Sequence, residues 1–196
     1  MDVARPEDYC RLMVPSAPGP YTDPRAHALR ERYLRVWGGP EVPVPVESIA
    51  EDLLGLRIEE RLLEWSGMLL PAERTIVLNL AESPRNDPPL RRHRFTIAHE
   101  IGHWVCHCLE GHAATLEPSY CRATDIANDV DRAIEREAKI FASELLMPEA
   151  AVRAAWGEIV AQSHEDRVAG VASLDVSPSA IGWPLFNPRF VEGKFA

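Results

Sequence analysis

The stretch "TIAHEIGHWVCH", residues 96–107, constrains the chain most, because it places two histidines four residues apart. On a helix, His99 and His103 lie one turn apart with both imidazoles on one face. Two neutral ring nitrogens at this spacing can reach one Zn2+ at roughly 2 Å. Glu100 would flank the ion without binding it, where it can accept a proton from an attacking water. This HExxH pattern predicts a helical, metal-dependent hydrolytic site.

An open zinc site needs a third protein ligand, and a second long helix, predicted over 129–146, carries two glutamates that bear on this question. Glu137 and Glu144 are seven residues apart along one edge of that helix's apolar stripe. Glu135 is predicted to point to the opposite, solvent side. A carboxylate at the margin of a core needs a partner. Glu137 is therefore predicted to bind the metal or, alternatively, to pair with an arginine, whereas Glu144 orients a ligand histidine, lines a substrate groove or forms such an ion pair.

Other reactive side chains lie close to the motif in sequence. His107 is too far along the helix to share the ion with His99 and is predicted to cap the helix or line the rim of the site. Tyr120, His107 and His112 are alternative residues for stabilising an oxyanion, and the sequence does not choose among them. Cys106 and Cys108 are predicted to be buried, reduced thiols, and a redox switch is a further hypothesis for them.

The order of predicted elements indicates an α+β fold. Three short strands, "LRIEERL", "GMLL" and "RTIVLNL", precede two long helices, whereas a parallel sheet would need alternating strands and helices. A further helix is predicted over 25–37, and Pro-rich sequence precedes it. The predicted organisation is a Pro-rich arm over 1–24, a central domain over 25–148 and a C-terminal helical segment over 149–196.

The charge balance limits the kinds of partner. The chain has 21 basic and 30 acidic residues, a net charge of −9, which disfavours nucleic-acid binding and suits a basic partner. No run approaches the roughly 18 apolar residues of a membrane span. The N-terminus lacks the basic start and apolar run of a signal peptide. These features predict a cytoplasmic protein that does not bind membranes.

With both long helices in view, the chain resembles the ImmA/IrrE family of bacterial and phage metallo-endopeptidases. The blocks "VPVESIAEDLLGLRIEE", "SGMLLPAERTIVLNL", "RHRFTIAHEIGHWVCH" and "EREAKIFASELLMP" follow the order and wording of that family. The resemblance implies a small zincin-like metalloprotease domain that holds one Zn2+ per chain. It also implies His99, His103 and Glu137 as ligands and Glu100 as catalytic base. One departure is Lys139, which stands where the family block often has Asn.

The resemblance further implies a regulatory protease that cuts one partner, typically a helix-turn-helix transcriptional repressor encoded nearby, and so releases its target genes in stress-response or phage settings. The "SGMLL" strand is the candidate edge for an extended substrate. The C-terminal segment is similar to a degenerate helix-turn-helix, because Pro184 interrupts its second helix, and DNA binding is not expected. Two alternatives are a zinc-containing module that sequesters the repressor without cutting it, and the toxin of a toxin–antitoxin pair.

Overall fold

The computed structural model describes residues 23–82, 89–108, 119–120, 129–154 and 174–176, and these residues form an α+β fold, as predicted. None of the helices that it describes has the length and apolar character of a membrane span. In chain order the elements are α1 (Pro24–Trp37), α2 (Val46–Ser48, continued by a π-helical turn, Ile49–Leu53), β1 (Arg57–Arg61), β2 (Gly67–Leu70), β3 (Thr75–Asn79), α3 (Pro89–His103, continued by a π-helical turn, Trp104–Cys108), β4 (Ser119–Tyr120), α4 (Asp129–Leu146) and α5 (Glu149–Ala154).

The sheet has the order β1-β3-β2-β4. Strand β3 lies inside it with all five residues buried, parallel to β1 and antiparallel to β2. The apolar run that predicted β3 is typical of a strand covered on both faces. The three predicted strands are therefore confirmed, and β4 is an additional, two-residue strand.

The prediction that the "SGMLL" strand offers a free edge is wrong. Met68 of β2 is paired with Val77 of β3 on one side and with Tyr120 of β4 on the other. The outer strands among the described residues are β1 and β4. Strand β4 follows a stretch of sequence without a clear period, so no alternation signalled that it would cover this edge.

Two glycines set how closely α3 approaches its neighbours. A Cβ atom at Gly67 of β2 would collide with Thr96 Cγ2 of α3, so the helix lies directly on the sheet. A Cβ atom at Gly102 of α3 would lie 3.0 Å from the carbonyl oxygen of Ala138 and 3.3 Å from Phe141 Cδ1, both on α4. Helix α3 is thus held tightly between the sheet and α4.

Gly102→Ala is expected to lower the free energy of unfolding. The added methyl group meets the backbone of Ala138, and overpacking of this kind costs roughly 1–3 kcal/mol. Because the contacted atoms of Ala138 are backbone, which cannot move aside as a flexible side chain can, we expect a cost in the upper part of this range, above the gain of about 1 kcal/mol from replacing a glycine inside a helix. Urea denaturation followed by circular dichroism measures the difference. Ala133→Ser, at an exposed position of α4, is the control and should change stability by no more than about 0.5 kcal/mol; an unchanged midpoint for Gly102→Ala would contradict the close approach.

Residues 174–176 pack into the same core as α3. Leu174 and Val176 are fully buried in the hydrophobic cluster. Between them, Asp175 pairs with Arg91 Nε at 3.4 Å and with Arg94 Nε at 3.1 Å, both on α3. Part of the predicted C-terminal segment therefore belongs to the central core. The remainder beyond Ala154 and the arm before Asp23 lie outside the described residues, and the predicted helix-turn-helix similarity stays a prediction.

Leu174→Ala is expected to destabilise the chain strongly, because it removes a fully buried side chain and leaves a cavity. Substitutions of this kind cost roughly 2–5 kcal/mol. Leu62→Ala is the matched control, since Leu62 is 77 % exposed and its loss should cost about 0.5 kcal/mol or less. Urea denaturation measures both variants, and equal midpoints would show that residues 174–176 are not part of the cooperative core.

Candidate active site

Three buried side chains from two helices meet at one point. His99 and His103 of α3 are each 1 % exposed, and their Nε2 atoms are 3.1 Å apart. Glu135 of α4 places Oε2 3.2 Å from His99 Nε2 and Oε1 3.1 Å from His103 Nε2. Two imidazole nitrogens and one carboxylate therefore converge, and this group could hold a metal ion.

The separations of these donor atoms fit a tetrahedral zinc site. Zinc bonds to nitrogen and oxygen are about 2.0–2.1 Å long, so neighbouring ligand atoms on a tetrahedron lie roughly 3.3–3.4 Å apart. The Nε2–Nε2 separation of 3.1 Å is close to that edge length, and Glu135 presents one carboxylate oxygen at 3.1–3.2 Å from each imidazole. Among the described residues three protein ligands converge, and three protein ligands with one further position for water are the arrangement of catalytic rather than structural zinc sites.

The protonation states of these side chains also suit metal binding. Burial lowers the pKa of His103 to about 4, so its ring is neutral at physiological pH. Burial raises the pKa of Glu135, but the contacts with His103 and His99 outweigh this effect and hold that pKa well below its usual range. Neutral imidazole and ionised carboxylate are the forms that bind zinc.

Glu100 is fully buried and follows the ligand candidate His99 directly. Its charge also affects Cys108: burial and the nearby Glu100 raise the pKa of that thiol to about 11. A thiol with so high a pKa has little thiolate at neutral pH and reacts slowly with oxidants. Cys106 is buried too, as predicted for both cysteines. The redox-switch hypothesis therefore has no support at Cys108.

The structure does not bring Glu137 to the two histidines, and the predicted ligand set is corrected at this position. Glu137 Oε1 forms an ion pair with Arg25 Nη2, and its Oε2 lies 3.2 Å from His107 Nε2. The hydrogen bond with His107, then that with Arg25, lowers the pKa of Glu137 to about 2. The alternative predicted for Glu137, an ion pair with an arginine, is the one that the structure shows.

Glu135 was missed because the prediction followed the large apolar residues of α4. The prediction that it faces solvent is wrong, since it is 9 % exposed. The face that α4 turns toward α3 carries Glu135, Ala138 and Ala142, with spacings of three and four residues. Both alanines are fully buried, and Ala138 lies against Gly102. A stripe of small residues opposite a helical glycine was the available signal for this face.

The other candidate residues have different positions. His107 contacts the ligand candidate His103 through their Nδ1 atoms, which are 3.3 Å apart. Glu144 lies two turns beyond Glu137, where its carbonyl oxygen accepts a hydrogen bond from Arg30. Tyr120 lies in β4, but its side chain is outside the described residues, as is His112. Their predicted roles beside the oxyanion stay predictions.

A comparison with models of protein families gives a match whose range includes this site. The sequence matches the Peptidase_M78 family model, described as the IrrE N-terminal-like domain, over residues 55–174. That range includes both histidines, Glu100 and Glu135. A search of curated proteins finds no match. The matched family is zinc metallopeptidase-like, which indicates a fold and a role of the metallopeptidase type. Because the match spans more than half of the sequence, the chain belongs to the Peptidase_M78 family.

Proposed function

We propose that this chain is a zinc-dependent endopeptidase that cleaves one specific protein partner, a helix-turn-helix transcriptional repressor, and thereby derepresses the genes that the repressor controls. The observation that carries the enzymatic part is the convergence of His99, His103 and Glu135 within 3.1–3.2 Å of one another. Glu100, the proposed base, lies on the same helix as the two histidines.

The side chains divide the chemistry between them. His99, His103 and Glu135 would hold the ion, and Glu100 would take the proton of the attacking water on a carboxylate oxygen and deliver it to the leaving amine. Zn2+ in such a site polarises the scissile carbonyl and brings the pKa of water toward about 7. Glu100 is fully buried and directly follows His99 on α3, and both features favour this role.

Three considerations support the proposed partner. The resemblance to the ImmA/IrrE family implies a repressor substrate, and the match to the IrrE N-terminal-like domain supports that resemblance. The net charge of −9 favours association with a basic protein, as a DNA-binding repressor is. The same charge disfavours direct binding of the chain to DNA. Transcriptional control and a stress-response setting follow from this partner and belong to the proposal.

The test is an incubation of the zinc-loaded chain with the helix-turn-helix protein encoded nearest to its gene, followed by intact mass spectrometry over time. Glu100→Gln is incubated in parallel. Two fragments whose masses sum to the partner plus one water, formed by the wild type alone, would support the proposal and identify the scissile bond.

Two other results would favour the alternatives. A stable complex without fragments, with zinc bound, would contradict the protease and favour a module that sequesters the repressor. Growth arrest when the chain is expressed alone, and its relief by the encoded partner, would favour a toxin–antitoxin pair.

A further inference from the structure

A continuous series of polar contacts leads from the candidate metal ligand His103 to helix α1. His103 Nδ1 lies 3.3 Å from His107 Nδ1, and His107 Nε2 lies 3.2 Å from Glu137 Oε2. The other oxygen of Glu137 contacts Arg25 Nη2, on the first turn of α1. These residues, which are far apart in sequence, form one contact series. It ends at Nδ1 of His103, whereas Nε2 of the same ring faces the candidate metal position.

Asp23 holds Arg25, the last residue of this contact series, in place. Its carboxylate accepts a hydrogen bond from Arg25 Nη2 at 2.7 Å and another from Arg25 Nε at 3.0 Å. The same carboxylate caps α1 by accepting the backbone N–H of Arg25 at 2.9 Å. Asp23 is itself 4 % exposed. The guanidinium therefore cannot leave Glu137 without also losing its contacts at the start of the helix.

The donors and acceptors available on these side chains fix the direction of every hydrogen bond in the contact series. Arg25 can only donate, and the carboxylate of Glu137 can only accept. A neutral His107 then donates from Nε2 to Glu137, which leaves its Nδ1 without a proton. His103 must donate from Nδ1 to that nitrogen, so its own Nε2 carries a lone pair. This is the tautomer of His103 that can bind a metal ion through Nε2.

We propose that His107, Glu137 and Arg25 are positioning residues that hold His103 in its metal-binding tautomer and orientation. The inference rests on the proposed function, because it assumes that His103 is a zinc ligand. It assigns a role to Glu137 that differs from direct binding of the metal. It also makes α1 a part of the site, since Arg25 on α1 supplies the fixed hydrogen-bond donor at the end of the contact series.

A second metal site in the same place is the competing interpretation. Asp23, Cys106 and Glu137 have donor atoms within 4.8 Å of one another, so these three groups could hold an ion. However, the guanidinium of Arg25 already contacts both Asp23 and Glu137. A cation thus lies between the two carboxylates. If the contact series only positions His103, each polypeptide should bind one zinc ion.

Glu137→Gln is the informative substitution because it keeps the shape of the side chain and reverses the hydrogen bonds. Arg25 can only donate, so the amide oxygen of the glutamine would turn toward it and the amide N–H group toward His107. His107 would then carry its proton on Nδ1 and donate to His103. The proton of His103 would be displaced to Nε2, where it blocks metal binding.

The experiment has two readouts on the full chain. Long-range 15N–1H spectra of the zinc-loaded wild type report which ring nitrogens of His107 are protonated, and Nε2 protonated with Nδ1 bare is the expected pattern. Competition with a chromogenic chelator measures zinc affinity, which should fall roughly 10–100-fold in Glu137→Gln. Arg30→Gln is the matched control, because Arg30 also joins α1 to α4 through the carbonyl oxygen of Glu144 and does not belong to the contact series.

The outcomes separate this inference from the proposed function. A proton on Nδ1 of His107 in the wild type would overturn the proposed positioning role, whether or not the variant folds. An equal loss of zinc affinity in Glu137→Gln and Arg30→Gln would overturn it too, because both would then act only through helix packing. Two zinc ions per wild-type chain, one of them lost in Cys106→Ala, would favour the second metal site. If the wild type binds no zinc, the proposed function fails. The protonation of His107 then still decides the direction of the hydrogen bonds in the contact series.

Discussion

Glu100→Gln is expected to abolish detectable cleavage while zinc remains bound. The substitution keeps the size of a fully buried side chain and removes its capacity to take a proton. General acid–base groups contribute roughly 10²–10⁴-fold to rates, so kcat should fall by about that factor. Glu100 is not one of the three converging donors, so zinc affinity should stay close to that of the wild type.

The measurement pairs the cleavage rate of the repressor with the zinc content of the purified variant. Glu31→Gln is the control for the loss of one negative charge, because Glu31 lies on α1 with a side chain 56 % exposed. It should cleave at the wild-type rate. Cleavage by Glu100→Gln at an undiminished rate would remove Glu100 from the mechanism. Loss of zinc in that variant would instead mean that its carboxylate supports the metal.

Glu135→Gln is expected to lose zinc more completely than any other glutamate substitution in α4. The carboxylate of Glu135 is the third donor beside His99 and His103, and an amide binds zinc poorly. Loss of a residue that only supports a ligand costs about 10–100-fold in metal affinity, so loss of the ligand itself should cost more than 100-fold. Chelator competition and elemental analysis of the purified variant measure the effect.

Comparison with Glu137→Gln makes this prediction decisive. The two glutamates are two residues apart on one helix, and both substitutions remove one charge from a contact with histidine. The structure predicts that zinc affinity falls further in Glu135→Gln than in Glu137→Gln. The reverse order would restore the ligand set that the family resemblance implied from the sequence.

Helical spacing was enough to predict the part of the site that lies on one element. His99, Glu100 and His103 are local in sequence, and the geometry of a helix dictates that the two imidazoles share a face. The strands between 56 and 80 and the two long helices were predictable for the same reason, because each has its own apolar pattern. These features needed no knowledge of how the elements pack.

The residues that the sequence did not reveal depend on packing between elements. Whether Glu135 or Glu137 meets the histidines is decided by the rotation of α4 about its axis, and the contact of Gly102 with Ala138 sets that rotation. Arg25 is separated from Glu137 by 112 positions, and only the docking of α1 brings the two together. The short strand β4 has no pattern of its own, and only its pairing with β2 identifies it as a strand.

The most direct test of the account is the position of zinc in a crystal of the full chain, located by anomalous diffraction at the zinc absorption edge. We expect one peak, bonded to Nε2 of His99, Nε2 of His103 and a carboxylate oxygen of Glu135. A peak bonded instead to Glu137, or one between Asp23 and Cys106, would contradict the assigned site.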